Sequence, residues 1–207
     1  MNGIFISFEG IDGCGKTTQS RMLQEFFASK GRNAILTLEP GGTLIGTKIR
    51  ELLLKPEHKE MSPVAELLLY NAARAQHIDE KIVPELKKGT VVITDRFTDS
   101  TIAYQGYGRG IDLSLINSIN NIATNGIKPD LTILLDLDPE SGLGRNKGIN
   151  KVDRFELEAL TFHKKVREGF LKIAEIEPER FELVDASMPL GAVTKKILDT
   201  VARRYGI

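Results

Sequence analysis

Apolar residues gather in five short runs along the chain: IFISF at 4–8, NAILTLE at 33–39, TVVITD at 90–95, LTILLDLD at 131–138 and FELVD at 181–185. Most are nearly continuous in β-branched and aliphatic side chains, the pattern of strands covered on both faces in a parallel sheet. Between these runs the apolar period lengthens to that of a helix. Met22, Leu23, Phe26 and Phe27 share one face, and Gly31 is placed to stop the helix that carries them. Residues 62–88 predict a longer helical stretch, opened by Ser62 and Pro63, with Val64, Leu67, Leu68, Ala75, Ile78 and Ile82 on one face. Further helices are predicted at 113–124, 155–176 and 190–205. Strand and helix alternate throughout, which predicts one α/β domain over residues 1–207, a five-stranded parallel sheet flanked by helices. One segment breaks the pattern. Residues 142–154, GLGRNKGINKVDR, are glycine-rich, basic and poor in apolar side chains, and are expected to form a mobile lid.

Composition narrows the partners. With 28 basic and 28 acidic residues the net charge is zero, so no protein-wide field favours nucleic acid and any bound anion must be held by a local cluster. The single Cys14 leaves no internal disulfide, which fits a reducing compartment. No apolar run approaches the ~18 residues that span a bilayer, and the first residues lack a basic region and reach Glu9 early, so no signal peptide or membrane partner is expected. The expectation is a cytoplasmic protein. His58, His77 and His163 lack metal-ligand spacing and read as exposed or packing residues.

The chemistry begins at GIDGCGKT, residues 10–17, between a predicted strand and a predicted helix. It fits the phosphate-loop pattern G-x-x-x-x-G-K-[ST] in full. Gly10, Gly13 and Gly15 let the backbone curl so that N–H groups of the loop, Ile11, Asp12 and Cys14 included, face phosphate oxygens. The helix that follows adds the positive end of its dipole. Lys16 supplies a full charge to the β/γ-phosphates, Thr17 offers a hydroxyl to Mg²⁺, and Thr18 completes the ATP-binding run. The fold expected is therefore a P-loop NTPase-type three-layer sandwich. A GTPase switch is disfavoured, because the nearest guanine-reading string, NKGI, has Ile149 where an aspartate belongs. A kinase and a non-catalytic ATP-binding module both remain.

A kinase needs a second anion site facing the first. DRF at 95–97 ends the third predicted strand, at the edge where open α/β sheets bind ligands. Asp95 suits Mg²⁺ through water, and Arg96 suits a bidentate clamp on an acceptor phosphate. EPGGTLIGTKIRELLL at 39–54 opens with Glu39, turns at Pro40, a candidate for a cis bond, and runs into a helix carrying Arg50. LLLYNAARAQH at 67–77 puts Tyr70 and Arg74 on one helix face, an aromatic surface beside a guanidinium that suits a planar base.

Together these strings, with DRFTDSTIAYQGYGRGI, PDLTILLDLDPESGL, DRFE and VDAS in the same order, resemble the bacterial thymidylate kinases, which convert dTMP to dTDP with ATP. The resemblance covers nearly the whole chain. It implies that Asp12 contacts the sugar 3′-hydroxyl, that Tyr70 stacks on thymine and Arg74 donates to a base carbonyl, and that Thr101, Tyr104 and Gln105 line the base and sugar pocket. Arg50 and Arg96 would hold the acceptor phosphate, and Glu39 and Glu156 would belong to the same substrate site. Arg145 would lie over adenine, with the Asp185–Ala186 loop at its edge. The loop carries no arginine, so it resembles the group relying on lid cations, here Arg145, Lys147, Lys151 and Arg154; Arg154 or Lys151 is the one expected at the transferring phosphate. Leu38 stands where many relatives carry arginine. The family also implies a homodimer.

Overall fold

The computed structural model describes residues 3–146 and 153–207, with Asn146 known by its backbone alone. Lys147 and Lys151 lie outside the described residues. Among the described residues, β1 (Phe5–Glu9), β2 (Ala34–Leu38), β3 (Val91–Asp95), β4 (Leu131–Asp136) and β5 (Phe181–Asp185) form one parallel sheet in the order β2-β3-β1-β4-β5. Each expected strand is present within two residues of its expected ends. β1 is central, and its side chains alternate between two apolar clusters. Ile6 and Phe8 pack with Leu23 and Phe27 of α1 (Lys16–Ser29), whereas Phe5 packs with Ile78, Ile82 and Phe97. Burial on both faces explains why these strands read as unbroken apolar runs.

Local chemistry sets the helix ends. Thr43 Oγ1 accepts the Gly46 N–H at the start of α2 (Leu44–Leu54), and Ser62 Oγ accepts the Ala65 N–H at the start of α3 (Pro63–His77). After α3 the chain widens into a π-helical turn, Ile78–Ile82, before α4 (Val83–Lys87). Pro84, which has no N–H for a helical bond, lies just beyond that wide turn. α6 (Leu113–Thr124) and α9 (Leu190–Tyr205) match the expected spans.

Four expectations are corrected. The inner face of α3 keeps Leu67 and Ala73 but is otherwise polar, with Glu66, Asn71, Arg74 and His77 buried; Val64 and Leu68 are 51% and 52% exposed instead. Residues 98–108, expected only to contribute pocket side chains, are helical as α5 (Thr98–Thr101) and a π-helical turn, Ile102–Gly108. The helix expected from 155 begins later, as α8 (Leu160–Ile176), because Asp153 Oδ1 accepts the N–H groups of Phe155 and Glu156 and holds them in a turn. The glycine-rich stretch opens inside α7 (Pro139–Asn146), where Gly142 abuts the phosphate loop. No helix among the described residues is long and apolar enough to cross a membrane.

Phe170 of α8 is 1% exposed and meets the ring of Tyr104 edge-on at 6.2 Å. Phe170→Ala is expected to lower stability by about 3–5 kcal/mol in urea denaturation. A loss under about 1 kcal/mol would mean this contact does not tie α8 to the pocket.

Candidate active site

The phosphate loop connects β1 to α1 at the C-terminal edge of the sheet. Gly10 and Gly13 have φ of 134° and 77°, and neither tolerates a Cβ: one would meet the Leu135 carbonyl oxygen at 2.5 Å, the other that of Gly142 at 2.2 Å. Ile11 and Cys14 pack their side chains into the core, with the Cys14 sulfur also 3.6 Å from Lys16 Nζ, and burial pushes the Cys14 thiol up. α1 starts after Gly15 with no side-chain cap and no acidic residue in its first turn. Its first N–H groups therefore lie open to an anion. Lys16 folds back over the loop, donating from Nζ to the carbonyls of Gly10 at 3.1 Å and Ile11 at 2.8 Å. Thr17 Oγ1 donates to Asp95 Oδ2 at 2.7 Å, which brings together the two residues expected at a metal.

Arg96 follows Asp95 and is held from several sides. Its φ of 73° is a left-handed conformation that a residue with a Cβ adopts only where its surroundings enforce it, at about 1–3 kcal/mol. Nη1 donates to the Gly10 carbonyl at 3.0 Å and Nη2 to Asp12 Oδ1 at 2.5 Å, and the guanidinium lies 5.1 Å from the centre of the Tyr104 ring. The Tyr104 hydroxyl donates to Asp12 Oδ2 at 3.0 Å. Burial would raise the Asp12 carboxyl, but Arg96, Lys16 and the Tyr104 hydroxyl hold it down at about 2.

Two cavities open along this edge. A groove of about 570 Å³ runs over the phosphate loop, bordered by Gly13, Lys16, Thr17, Thr18, Asp95 and Arg145. A narrower cavity continues under Tyr70, Thr101, Tyr104 and Gln105. Asp12, Glu39, Arg50 and Arg96 line both. Arg50 is steadied by donating from Nη1 to the Pro40 carbonyl at 2.9 Å, just after a cis Glu39–Pro40 bond. At the far end of the groove Arg145 donates to the Ala186 carbonyl at 3.2 Å, beside Asp185, whose carboxylate accepts the Ser187 N–H.

Three residues expected at the substrates, Arg74, Arg154 and Glu156, do not line either cavity. Arg74 is 1% exposed and donates to protein on three sides: Nε to Glu39 Oε2, Nη1 to Thr101 and Asn120, Nη2 to the Phe97 carbonyl. It lies behind Glu39 and Thr101, which line the narrow cavity. Arg154, 5% exposed, pairs with the buried Glu66 at 2.5 Å and donates to the Leu53 carbonyl, and so is not brought to the phosphate groove. Glu156 sits in the turn after Asp153, while its neighbours Asp153 and Phe155 line the narrow cavity. Sequence reasoning also missed Ser100 on the cavity wall and, behind it, Glu9, His77 and Asn120. Glu9 left a signal: a carboxyl ending an apolar strand directly before a phosphate loop. His77 holds Glu39, with Nδ1 2.9 Å from Oε1 and Nε2 2.7 Å from Thr37 Oγ1.

A five-stranded parallel sheet with a phosphate loop after its central strand is the P-loop NTPase fold, here with two cavities meeting at paired arginines. The family model described as Thymidylate kinase matches residues 8–197. A thymidylate kinase of a Thermoanaerobacter species is 47% identical over 203 residues, 98% of this chain and 99% of the relative. That of Carboxydothermus hydrogenoformans is 55% identical over 185 residues, 89% of this chain and 90% of the relative. The crystal structure of thymidylate kinase from Ehrlichia chaffeensis superposes with a TM-score of 0.78 at 37% identity, covering 96% of this chain and 98% of that one. The chain belongs to the thymidylate kinase family.

The fully buried Glu9 generates a prediction. Burial first, then the negative Asp99, raise its carboxyl from 4.5 to about 8. Between those values the folded chain holds a proton that the unfolded chain releases. The stability this confers is complete below 4.5 and lost as pH climbs to about 8. Relative to Glu9→Gln, the wild type should lose up to about 1.4 kcal/mol of stability per pH unit across that window, read by urea denaturation. A pH-independent difference between the two proteins would show that Glu9 is ionised throughout.

Proposed function

We propose that the chain transfers the γ-phosphoryl group of ATP to the phosphate of dTMP, giving dTDP and ADP on the route to dTTP. The observation that carries this reading is the junction of the two cavities. A triphosphate on the phosphate loop and a monophosphate in the narrow cavity would meet between Lys16 on one side and Arg50 and Arg96 on the other. An oxygen of the dTMP phosphate attacks the γ-phosphorus, and the bond to the bridging β–γ oxygen breaks. The chain's part in such a transfer is positioning and charge, with no covalent step of its own. Lys16 leaves its loop carbonyls for the β/γ-phosphates, the open N–H groups of α1 take the remaining oxygens, and the two arginines hold the acceptor.

The pair Thr17 Oγ1 and Asp95 Oδ2 fits Mg²⁺, a hard cation bound by few protein oxygens plus substrate phosphates and water. Bound there, Mg²⁺ would neutralise charge on the β- and γ-phosphates. Asp12, kept anionic by Arg96, faces the sugar as an acceptor for its 3′-hydroxyl. Tyr70 offers its face to thymine, Thr101 and Gln105 meet its edges, and Glu39 braces the wall. Arg74 acts through Thr101 and Glu39. Arg145 and the Ala186 carbonyl mark the adenine end. Arg154 anchors the chain after the lid, which leaves Lys151 as our assignment for the lid cation at the transferring phosphate.

A coupled assay with ATP, Mg²⁺ and an acceptor panel tests the reading. dTMP should be phosphorylated well ahead of dUMP, dCMP and thymidine, and Arg96→Ala should cut kcat/KM for dTMP on the order of a hundredfold or more. ADP release at background level with every acceptor would leave a non-catalytic ATP-binding module.

We further propose a cytoplasmic homodimer. Leu44 and Ile45 on α2, and Val64 and Leu68 on the adjoining α3, expose apolar side chains that a second copy would cover. Sedimentation should give a dimer, and Leu68→Glu a folded monomer; a wild-type monomer at assay concentration would contradict this.

A further inference from the structure

Glu9 has no role in the transfer just described, yet two residues around Arg96 depend on it. By strand alternation it shares a face of β1 with Phe5 and Ser7, and it is fully buried where β1 gives way to the phosphate loop. Oε1 accepts the Phe97 N–H at 2.7 Å, and Oε2 lies 2.5 Å from Ser100 Oγ. Ser100 Oγ also accepts from Arg96 Nη1 at 3.1 Å. One carboxyl thus touches the backbone just after Arg96 and, through one hydroxyl, its guanidinium.

This placement matters because Arg96 is left-handed, with φ 73°. Its own N–H goes to the Phe8 carbonyl at 2.9 Å, and its carbonyl accepts from Thr94 Oγ1 at 2.9 Å. The bond from Phe97 N–H to Glu9 completes the set that holds the turn and, like the bond from Thr94, is supplied by a buried side chain. A residue with a Cβ relaxes out of that conformation when such restraints are removed. The charges facing Glu9 are Asp99 of α5, itself paired with Arg180, and Arg96. Either protonation state keeps both contacts. Ionised, the carboxyl accepts twice; protonated, it accepts from Phe97 and donates to Ser100.

We propose that Glu9 is a positioning residue for the acceptor-phosphate arginine: its bond to Phe97 N–H fixes the turn at Arg96, and its contact with Ser100 aims the guanidinium. This rests on the reading of Arg96 as the clamp on the acceptor phosphate. Glu9 touches no substrate, so it affects only the part of the acceptor that Arg96 holds.

The test compares dTMP with thymidine, which lacks the phosphate, by calorimetry on the purified full chain, with KM and kcat measured alongside. Loss of a buried hydrogen-bonding group predicts that Glu9→Ala weakens dTMP binding roughly tenfold, with thymidine changed less than about twofold. Glu9→Gln keeps an acceptor for Phe97 and a partner for Ser100, and should restore dTMP binding to within about threefold of wild type. In the Arg96→Ala background, Glu9→Ala should add nothing, because the group it positions is gone. If Glu9→Ala does not fold, Ser100→Ala severs the side-chain arm alone and should weaken dTMP and spare thymidine in the same way. Equal weakening of dTMP and thymidine, unchanged dTMP binding, or a full penalty persisting without Arg96 would each overturn the proposal. Should Arg96→Ala itself bind dTMP as the wild type does, the reading of Arg96 falls, and the proposal with it.

Discussion

Two phosphates that must touch in order to react also repel one another. At 4 Å and an effective dielectric near 20, each pair of unit charges costs about 4 kcal/mol, and a triphosphate facing a monophosphate presents several pairs. The sheet edge answers with positive groups fixed before either ligand arrives. Lys16 lies across its own loop, α1 begins without an acid or a cap, and Arg50 and Arg96 line the wall shared by both cavities. Fixed charge has a cost in the empty protein, because unpaired cations at one edge repel each other. Asp12 offsets it, paired to Arg96, with its carboxyl held down at about 2.

The same logic explains the polar interior of α3. Arg74 stitches Glu39, Thr101, Asn120 and the Phe97 carbonyl into one buried network, so the walls of the narrow cavity are set by hydrogen bonds as well as by packing. Glu66 does the equivalent work about two turns earlier, taking Arg154, Arg109 and the Gln105 amide. A buried charge with partners on several elements is strongly destabilising to break, because removal of one member strands the others. The arginines of this region therefore divide by partner. Arg50 and Arg96 line both cavities, while Arg74 and Arg154 are buried among protein partners.

The strands were legible because burial on both faces writes an unbroken apolar run, and the phosphate loop because its spacing is dictated by backbone geometry. Pairing of Thr17 with Asp95 followed from placing motifs at the carboxyl edge of a parallel sheet, whereas convergence of Arg50 with Arg96 was implied by the family resemblance. What the residues did not disclose was direction. Tyr70 and Arg74 share a helix, but whether a guanidinium faces a ligand or a buried carboxylate depends on Glu39, thirty-five positions away. Arg154 read as a lid cation because it ends a glycine-rich basic stretch, and its partner, Glu66, lies far earlier in the chain. The helical stretch after Arg96 escaped notice because its apolar period is broken by the wide turn at Ile102–Gly108. Glu9 was passed over since a carboxyl at a strand end reads as solvent-facing until the Phe97 amide is seen to close over it.

The central claim is that one continuous channel seats both nucleotides with their phosphates end to end. It is tested most directly by a single molecule in which adenosine and thymidine are joined through five phosphates. The account predicts binding at one molecule per chain, competitive against ATP and against dTMP alike. Competition with only one of the two substrates, or simultaneous binding of the linked molecule and dTMP, would contradict it.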